Sequence, residues 1–184
     1  ARCYKLRLLH AACHRPITHI SAVNDLIKRA LASADVPAML EPSSLSRDDG
    51  KRPDGLTIMP WSNGRCLVWD FTGPHTLAAS HLNKAVLGPG AVANDAESRK
   101  SSKYRSLAAL YSLTPIVVES MGPLGQEATI FFHELGRRIE ATTAEPRSLQ
   151  YLLQRLSVTV QRGNAACIIG TVSSSGGLDD LFYI

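Results

Sequence analysis

Residues 54–72, DGLTIMPWSNGRCLVWDFT, carry the pattern that decides the fold. Two apolar runs, at residues 56–61 and 66–71, flank the dipeptide Asn63-Gly64. Asn-Gly between apolar runs is the strongest short-range indication of a β-hairpin, because both residues tolerate the positive φ angles of a type I′ turn. We therefore predict a β-hairpin over residues 54–72.

An aspartate lies near the open end of each predicted strand, Asp54 on the first and Asp70 on the second. Strict pairing around a two-residue turn would place position 57 opposite Asp70. Asp54 would then be offset by roughly 10 Å, at about 3.3 Å per residue. A bulge, a longer loop or strand twist would close that gap. Two adjacent carboxylates would offer the oxygen ligands that Mg²⁺ prefers, although an aspartate at a strand end is also a common turn residue.

The polar segment over residues 91–109 is predicted to be a helix, and it supplies two candidate lysines. Lys100 and Lys103 are three positions apart and so share one helix face. An ammonium group beside a phosphodiester would stabilise the charge that develops during cleavage. Glu41, which precedes the hairpin, is a candidate third carboxylate. The alternative is that both lysines and Glu41 are simply solvated surface residues.

The remaining periodicity predicts three more helices and one more strand. Apolar residues recur at helical spacing after Ser21, a candidate N-cap, and Pro37 is expected to end that helix. Residues 114–119 are a β-branched run typical of a buried strand. Two helices are expected after it, one over residues 126–142 and one that starts at Pro146 and is capped by Gly163.

The composition fits an ordinary globular domain with a mildly basic surface. Of 184 residues, 45% are hydrophobic and 20% are charged, and the net charge of +4 mildly favours polyanionic partners. No apolar run approaches the roughly 18–20 residues of a membrane span. The four cysteines form no CxxC pair, which favours a reducing compartment. They are Cys3, Cys13, Cys66 and Cys167.

Several segments together resemble one known family. RPD at 52–54, an apolar strand and WDFT at 69–72 are similar to the RPD…D motif of the restriction-like endonuclease domain at the C-terminus of non-LTR retrotransposon polyproteins. That family belongs to the PD-(D/E)xK nuclease superfamily. The resemblance covers residues 20–170 and includes four further segments. They are ESRKSSKY at 97–104, ELGRRI at 134–139, YLLQRLS at 151–157 and QRGNA at 161–165.

The resemblance implies an α/β fold with a restriction-endonuclease-like core, in which a mixed sheet with a central β-hairpin is flanked by helices. This domain would span residues 21–170 and be followed by a weakly ordered tail over 171–184. The implied activity is Mg²⁺- or Mn²⁺-dependent nicking of double-stranded DNA, with Asp54 and Asp70 as metal ligands. The nick would expose a 3′ end from which an upstream reverse transcriptase of the same polyprotein starts synthesis. RNA of the element is a further expected partner, and no interaction with a membrane is expected. The expected location is the nucleus, after import from the cytoplasm.

The resemblance also bears on the catalytic lysine. Most of the superfamily has a lysine two positions after the second acid, but this chain has Thr72 there. In the retrotransposon family a helix of the RKxxKY type supplies the lysine instead, and this motif matches residues 99–104. The match favours Lys103 ahead of Lys100, although spacing alone leaves both open.

Two other functions compete with an active nuclease. One is a catalytically inactive DNA-binding remnant that has kept the fold and the basic surface. The other is a zinc-stabilised interaction module, which needs a complete ligand set near the N-terminus. Retention of Asp54, Asp70 and Lys103 together favours the active nuclease.

Residues 1–20 contain a Cys/His cluster that we interpret as a vestigial zinc knuckle. Relatives carry a full knuckle, whereas the spacing here is shortened. The five potential ligands are Cys3, His10, Cys13, His14 and His19. A structural zinc ion needs four ligands in tetrahedral geometry. The cluster has no CxxC pair, and Cys13 and His14 are adjacent and rarely both ligate one ion, so we predict no tightly bound zinc in this segment. Elemental analysis of the purified protein checks this, and one zinc per chain, lost together with folding on chelation, would contradict it.

Overall fold

Four strands and five α-helices make up the part of the chain that the computed structural model describes, residues 16–45, 52–105 and 107–169. The strands are β1 (Ala38–Leu40), β2 (Gly55–Ser62), β3 (Arg65–Thr72) and β4 (Ser112–Val117). The helices are α1 (Pro16–Ser33), α2 (Leu82–Ala85), α3 (Ala91–Lys103), α4 (Gln126–Thr143) and α5 (Ser148–Ile169). Short 3₁₀ turns lie at Ser43–Leu45 and Leu107–Ala109. The predictions for residues 1–15 and 171–184 fall outside the described residues.

The strands form one open mixed sheet in the order β1-β2-β3-β4. β1 and β3 both pair with β2 in antiparallel fashion, whereas β4 is parallel to β3. A parallel pair needs a crossover connection, and α2 and α3 lie in that connection. The prediction of an α/β fold, with a mixed sheet containing a central hairpin and flanked by helices, is confirmed. None of the described helices has the length and apolar character needed to cross a membrane.

The turn of the hairpin is the one that the sequence predicts. Asn63 and Gly64 both have positive φ angles, 49° and 73°, as a type I′ turn requires. Ser62 and Arg65 pair directly across the turn. The right-handed twist of the two strands is compatible with this turn type, so the dipeptide fixes where the chain reverses.

We expect Gly64→Val to destabilise the protein by about 1–2 kcal/mol, because a β-branched residue is strained at positive φ. No atom lies within 4 Å of a Cβ built at Gly64, so the loss would come from the backbone alone. Chemical denaturation measures it. Gly64→Asn is the matched control, since asparagine tolerates this conformation. Equal losses in the two variants would contradict the argument.

The alternation of side chains along the sheet separates two layers. Trp69 and Phe71 of β3 and Ile116 of β4 face the main core, which α1, α4 and α5 complete. Val117 faces the other way, where it packs against Ala93 and other small residues of α3. Successive residues of a strand point to opposite faces, so Asp70 lies on the face that α3 covers.

Helix α1 is longer than the sequence predicts. It begins at Pro16 rather than after Ser21, so Ser21 lies inside the helix and is not its N-cap. Proline is favoured at the first helical position, and Ile20 packs against the core, which extends the apolar stripe toward the N-terminus. The helix also ends at Ser33, before Pro37. It therefore runs through the boundary expected between residues 20 and 21.

The prediction that Gly163 caps the last helix is wrong. Helix α5 continues through Gly163 to Ile169. A glycine inside a helix costs only about 0.5–1 kcal/mol relative to alanine, which tertiary contacts readily offset. One such contact is the hydrogen bond that Asn164 Nδ2 donates to the carbonyl oxygen of Ser120, at 2.7 Å.

A cluster of charges joins α4 to the hairpin. Glu134 accepts hydrogen bonds from Arg137 at 2.8 Å and from Arg138 Nε at 2.6 Å. Arg138 also donates to the carbonyl oxygen of Trp61 at 2.7 Å, and its guanidinium carbon lies 3.8 Å from the centre of the Trp61 ring. The hydrogen bond from Arg137, followed by that from Arg138, lowers the pKa of Glu134 from 4.5 to about 2.

This lowered pKa predicts a pH-dependent contribution to stability. Glu134 binds protons more weakly in the folded state, so its contribution is present above pH 4.5 and is lost as the pH falls toward 2. We therefore expect Glu134→Gln to lower the melting temperature at pH 7 but much less at pH 2. Glu140→Gln, on the same helix, is the control. An equal loss for Glu134→Gln at both pH values would contradict the assignment.

Candidate active site

Two register shifts in the hairpin bring the two aspartates together. Pairing starts with Ser62 opposite Arg65, and in a strict two-residue register Gly55 would then lie opposite Thr72. Gly55 instead pairs with Trp69, three positions closer to the turn. Asp54, the next residue outward, therefore lies opposite Asp70. The gap expected between these residues in a strict register is thus closed by departures from regular pairing within the hairpin.

Thr57 stabilises the irregular part of the hairpin. Its side chain is fully buried, and its hydroxyl donates to the carbonyl oxygen of Met59 at 2.8 Å. The same hydroxyl accepts a hydrogen bond from the Leu67 amide at 2.9 Å. These bonds satisfy backbone groups that the interrupted ladder would otherwise leave without partners.

Lys100 contacts the second aspartate. Its Nζ forms an ion pair with Asp70 Oδ2 and donates to the carbonyl oxygen of Phe71 at 3.3 Å. Only 9% of the Asp70 side chain and 17% of the Lys100 side chain are exposed. Charges that are shielded from water interact strongly, so the ammonium group is held at the end of β3.

Asp54 lies beside this pair in a half-buried position. Its Oδ2 accepts a hydrogen bond from the Phe71 amide at 2.6 Å. Burial raises the pKa of Asp54, the Phe71 amide opposes that shift, and the negative charge of Asp70 raises the pKa further. A second buried carboxylate nearby disfavours ionisation of the first. A cation between the two groups would relieve this repulsion.

Lys103 lies elsewhere on the same helix. Its Nζ lies 3.4 Å from the hydroxyl of Tyr104 and 4.8 Å from the centre of that ring. The Tyr104 side chain is buried and anchors the end of α3. The lysine that the family resemblance favoured is therefore not the one in contact with Asp70.

The candidate third carboxylate is brought near the site only through its backbone. The amide of Glu41 donates to the carbonyl oxygen of Asp54 at 2.9 Å. Its side chain is 75% exposed, and Oε2 lies 3.8 Å from a nitrogen of Arg52. Glu41 has a φ angle of 47°.

Within residues 16–45, 52–105 and 107–169, no three His, Cys, Asp or Glu side chains form a group that could hold a metal ion.

A buried glutamate fixes the beginning of α3. Glu119 follows β4 and is 2% exposed. Its Oε1 accepts a hydrogen bond from the Ala93 amide in the first turn of α3, and its Oε2 accepts one from the Thr76 hydroxyl, both at 3.1 Å. An anion near a helix N-terminus is favoured by the unpaired amides and by the helix dipole. Glu119 thus ties the helix that carries Lys100 to the sheet.

A second buried glutamate joins α3 to α4. Glu97 accepts hydrogen bonds from the amides of Glu127 and Ala128, both at 2.9 Å, and burial raises its pKa. Asn94 Oδ1 accepts from the Gln126 amide at 2.8 Å. A Cβ on Gly125 would lie 2.1 Å from the Glu97 carboxylate, so only glycine leaves room for this contact. Side chains of α3 therefore cap the first turn of α4.

Sequence reasoning missed several residues that build this site. They are Asn24, Gly55, Thr57, Glu97 and Glu119. For Asn24 a signal existed, because this polar residue lies at helical spacing from the apolar Ile27 and Leu31. The other four have no such signal. The partners of Glu97 and Glu119 lie on distant segments, and the contacts of Gly55 and Thr57 depend on the irregular register of the hairpin.

The arrangement suits a hard cation. Mg²⁺ is usually held by one or two carboxylates and keeps several water ligands. Asp54 and Asp70 supply two carboxylates at one end of the hairpin, and the Phe71 carbonyl adds an oxygen at the same place. A closed zinc site would need sulfur or imidazole ligands, which the described part of the site does not supply. The residues present therefore fit Mg²⁺ or Mn²⁺.

None of the family models searched matches the chain, and no curated protein matches it. An assignment of function thus depends on the site geometry and on the motif resemblance.

Proposed function

We propose that this chain is a Mg²⁺- or Mn²⁺-dependent DNA endonuclease domain of the restriction-like type found in non-LTR retrotransposon polyproteins. The observation that carries the proposal is the juxtaposition of Asp54, Asp70 and Lys100 at one end of the sheet. The three residues come from two strands and one helix. The RPD…D motif resemblance and the mixed sheet with its central hairpin agree with this assignment.

Each of the three residues has a role in the proposed reaction. Asp54 and Asp70 would hold the divalent ion, with the Phe71 carbonyl beside them. When bound, the ion supplies activation of water and neutralises negative charge on the phosphodiester. Lys100 is held at the same carboxylate, so its ammonium can donate to a phosphate oxygen or orient the attacking water.

Lys100 also stabilises the arrangement of the two carboxylates. Two buried carboxylates side by side repel one another, and the ammonium compensates one of the two charges. A cation held by these residues would compensate the same negative charges, so the Lys100 donors would then be available to substrate. The ion pair with Asp70 holds the lysine at the place where it would act.

The proposed substrate is double-stranded DNA, which agrees with the net charge of +4. The nick would give a 3′ end for the reverse transcriptase of the same polyprotein. Element RNA is a further proposed partner, and the nucleus is the proposed place of action. These partners rest on the motif resemblance.

A plasmid-nicking assay tests the proposal. Purified protein is incubated with supercoiled plasmid and Mg²⁺, Mn²⁺ or EDTA, and conversion to the open circle is followed. We expect nicking with either metal and none with EDTA. Binding of DNA without nicking under any metal condition would favour the inactive remnant instead. Equal nicking in EDTA would point to a contaminating or metal-independent activity and would contradict the proposal.

A further inference from the structure

Asn24 is a buried polar residue on the inner face of α1. It is 6% exposed and lies next to the fully buried Val23, one helical turn from Ile27. A buried amide needs hydrogen-bond partners, because an unpaired polar group in the interior is unfavourable. Asn24 Oδ1 accepts a hydrogen bond from Trp69 Nε1 at 3.1 Å. The tryptophan can only donate, so this bond fixes which side of the amide carries the oxygen.

The Trp69 ring contacts both this amide and the backbone next to the first aspartate. Gly55 pairs with Trp69 across the hairpin, and a Cβ on Gly55 would lie 2.0 Å from the ring. The indole therefore covers the backbone immediately after Asp54. Its Nε1 donates to Asn24 Oδ1, so the amide hydrogens of Asn24 lie on the side of the amide away from the indole.

We infer that Asn24 is a positioning residue for the metal-binding carboxylate of Asp54. Its amide donates to that carboxylate, while Trp69 keeps the amide in the required orientation. Together with the Phe71 amide, it holds Asp54 in one position beside Asp70. The inference rests on the proposed function and adds α1 to the elements that build the site. Partners that orient metal ligands commonly contribute about 10–100-fold to metal affinity or activity.

The structure offers two variants that remove this interaction differently. Asn24→Ala removes the amide, whereas Trp69→Phe keeps an aromatic ring over Gly55 and removes the N–H that orients the amide. Asn164→Ala is the matched control, because Asn164 also makes a tertiary hydrogen bond, to the Ser120 carbonyl on another part of the fold. Melting temperatures and circular dichroism show whether each variant is folded.

The experiment measures Mn²⁺ binding by calorimetry and, separately, the rate of plasmid nicking as a function of Mg²⁺ concentration. We expect Asn24→Ala and Trp69→Phe to weaken Mn²⁺ binding by about 10–100-fold. Nicking should need correspondingly more Mg²⁺, and the maximal rate should recover in large part at saturating metal. Asn24→Gln, which keeps an amide, should recover part of the affinity. Asn164→Ala should bind Mn²⁺ like the wild type.

Two results would overturn the inference. Wild-type Mn²⁺ affinity in a folded Asn24→Ala or Trp69→Phe variant would show that Asn24 serves only as a hydrogen-bond partner of Trp69 in the core. A drop in melting temperature with unchanged metal dependence would show the same. If the wild-type protein neither binds Mn²⁺ nor nicks DNA, the proposed function fails and the inference fails with it. Binding and nicking by the wild type with unaffected variants would leave the proposed function standing and remove only the role of Asn24.

Discussion

Asp70→Ala is expected to abolish DNA nicking while leaving DNA binding largely intact. Asp70 is the more deeply buried of the two candidate ligands and the partner of Lys100, so its loss removes half of the metal site. Loss of one electrostatic group at a reacting centre typically lowers kcat by about 10²–10³-fold. Affinity for DNA depends mainly on lysine and arginine contacts to phosphate. Nicking rates and gel-shift affinities of the two proteins measure the two effects separately.

The Asp70 experiment needs a control for folding. Removal of one partner from a buried ion pair can destabilise a protein by about 3–5 kcal/mol, and Asp70→Ala leaves Lys100 without its partner. Asp70→Asn keeps the shape and should be equally inactive. Asp95→Ala is the matched control, because Asp95 pairs with Lys84 and with Arg99 of α3, away from the Asp70 carboxylate. Undiminished cleavage by a folded Asp70 variant would count decisively against this site.

Lys100→Met is expected to reduce nicking by about 100-fold or more, because the ammonium at the reacting phosphate is lost. Lys103→Met is expected to keep most of the activity. The reason is geometric, since Lys100 contacts Asp70 and Phe71 whereas Lys103 lies against the Tyr104 ring. Methionine keeps most of the apolar stem of lysine, so packing is preserved. Single-turnover nicking rates at saturating Mg²⁺ compare the two variants directly.

The two lysines serve as controls for one another. Both substitutions remove one positive charge from the same helix. Their effects on nonspecific DNA affinity should therefore be similar. A large loss of nicking in Lys103→Met with an active Lys100→Met would reverse the assignment. It would also restore the lysine favoured by the motif resemblance.

The hairpin could be predicted from the sequence because its information is local. Asn63-Gly64 determines the turn, and the flanking apolar runs determine the strands. The register could not be predicted, because it depends on where the strands depart from regular pairing. Thr57 stabilises that irregularity through Met59 and Leu67. A turn pattern carries no information about such a contact, so the sequence left open whether a bulge, a longer loop or strand twist would bring the two aspartates together.

The choice of lysine shows a second limit of sequence reasoning. Spacing places Lys100 and Lys103 on one helix face, but it does not say how far along the sheet the helix lies. That position depends on contacts between distant segments. Glu119 holds the first turn of α3, and Glu97 joins α3 to α4. With the helix fixed in this way, Lys100 meets the end of β3.

Binding of Mn²⁺ to the purified protein, followed by the electron paramagnetic resonance signal of free Mn²⁺, tests most directly whether Asp54 and Asp70 form one divalent-metal site. The account predicts one ion per chain in the wild type, with binding lost in both Asp54→Asn and Asp70→Asn and retained in Asp95→Asn. Binding that is unchanged by both aspartate substitutions, or absent from the folded wild-type protein, would contradict it.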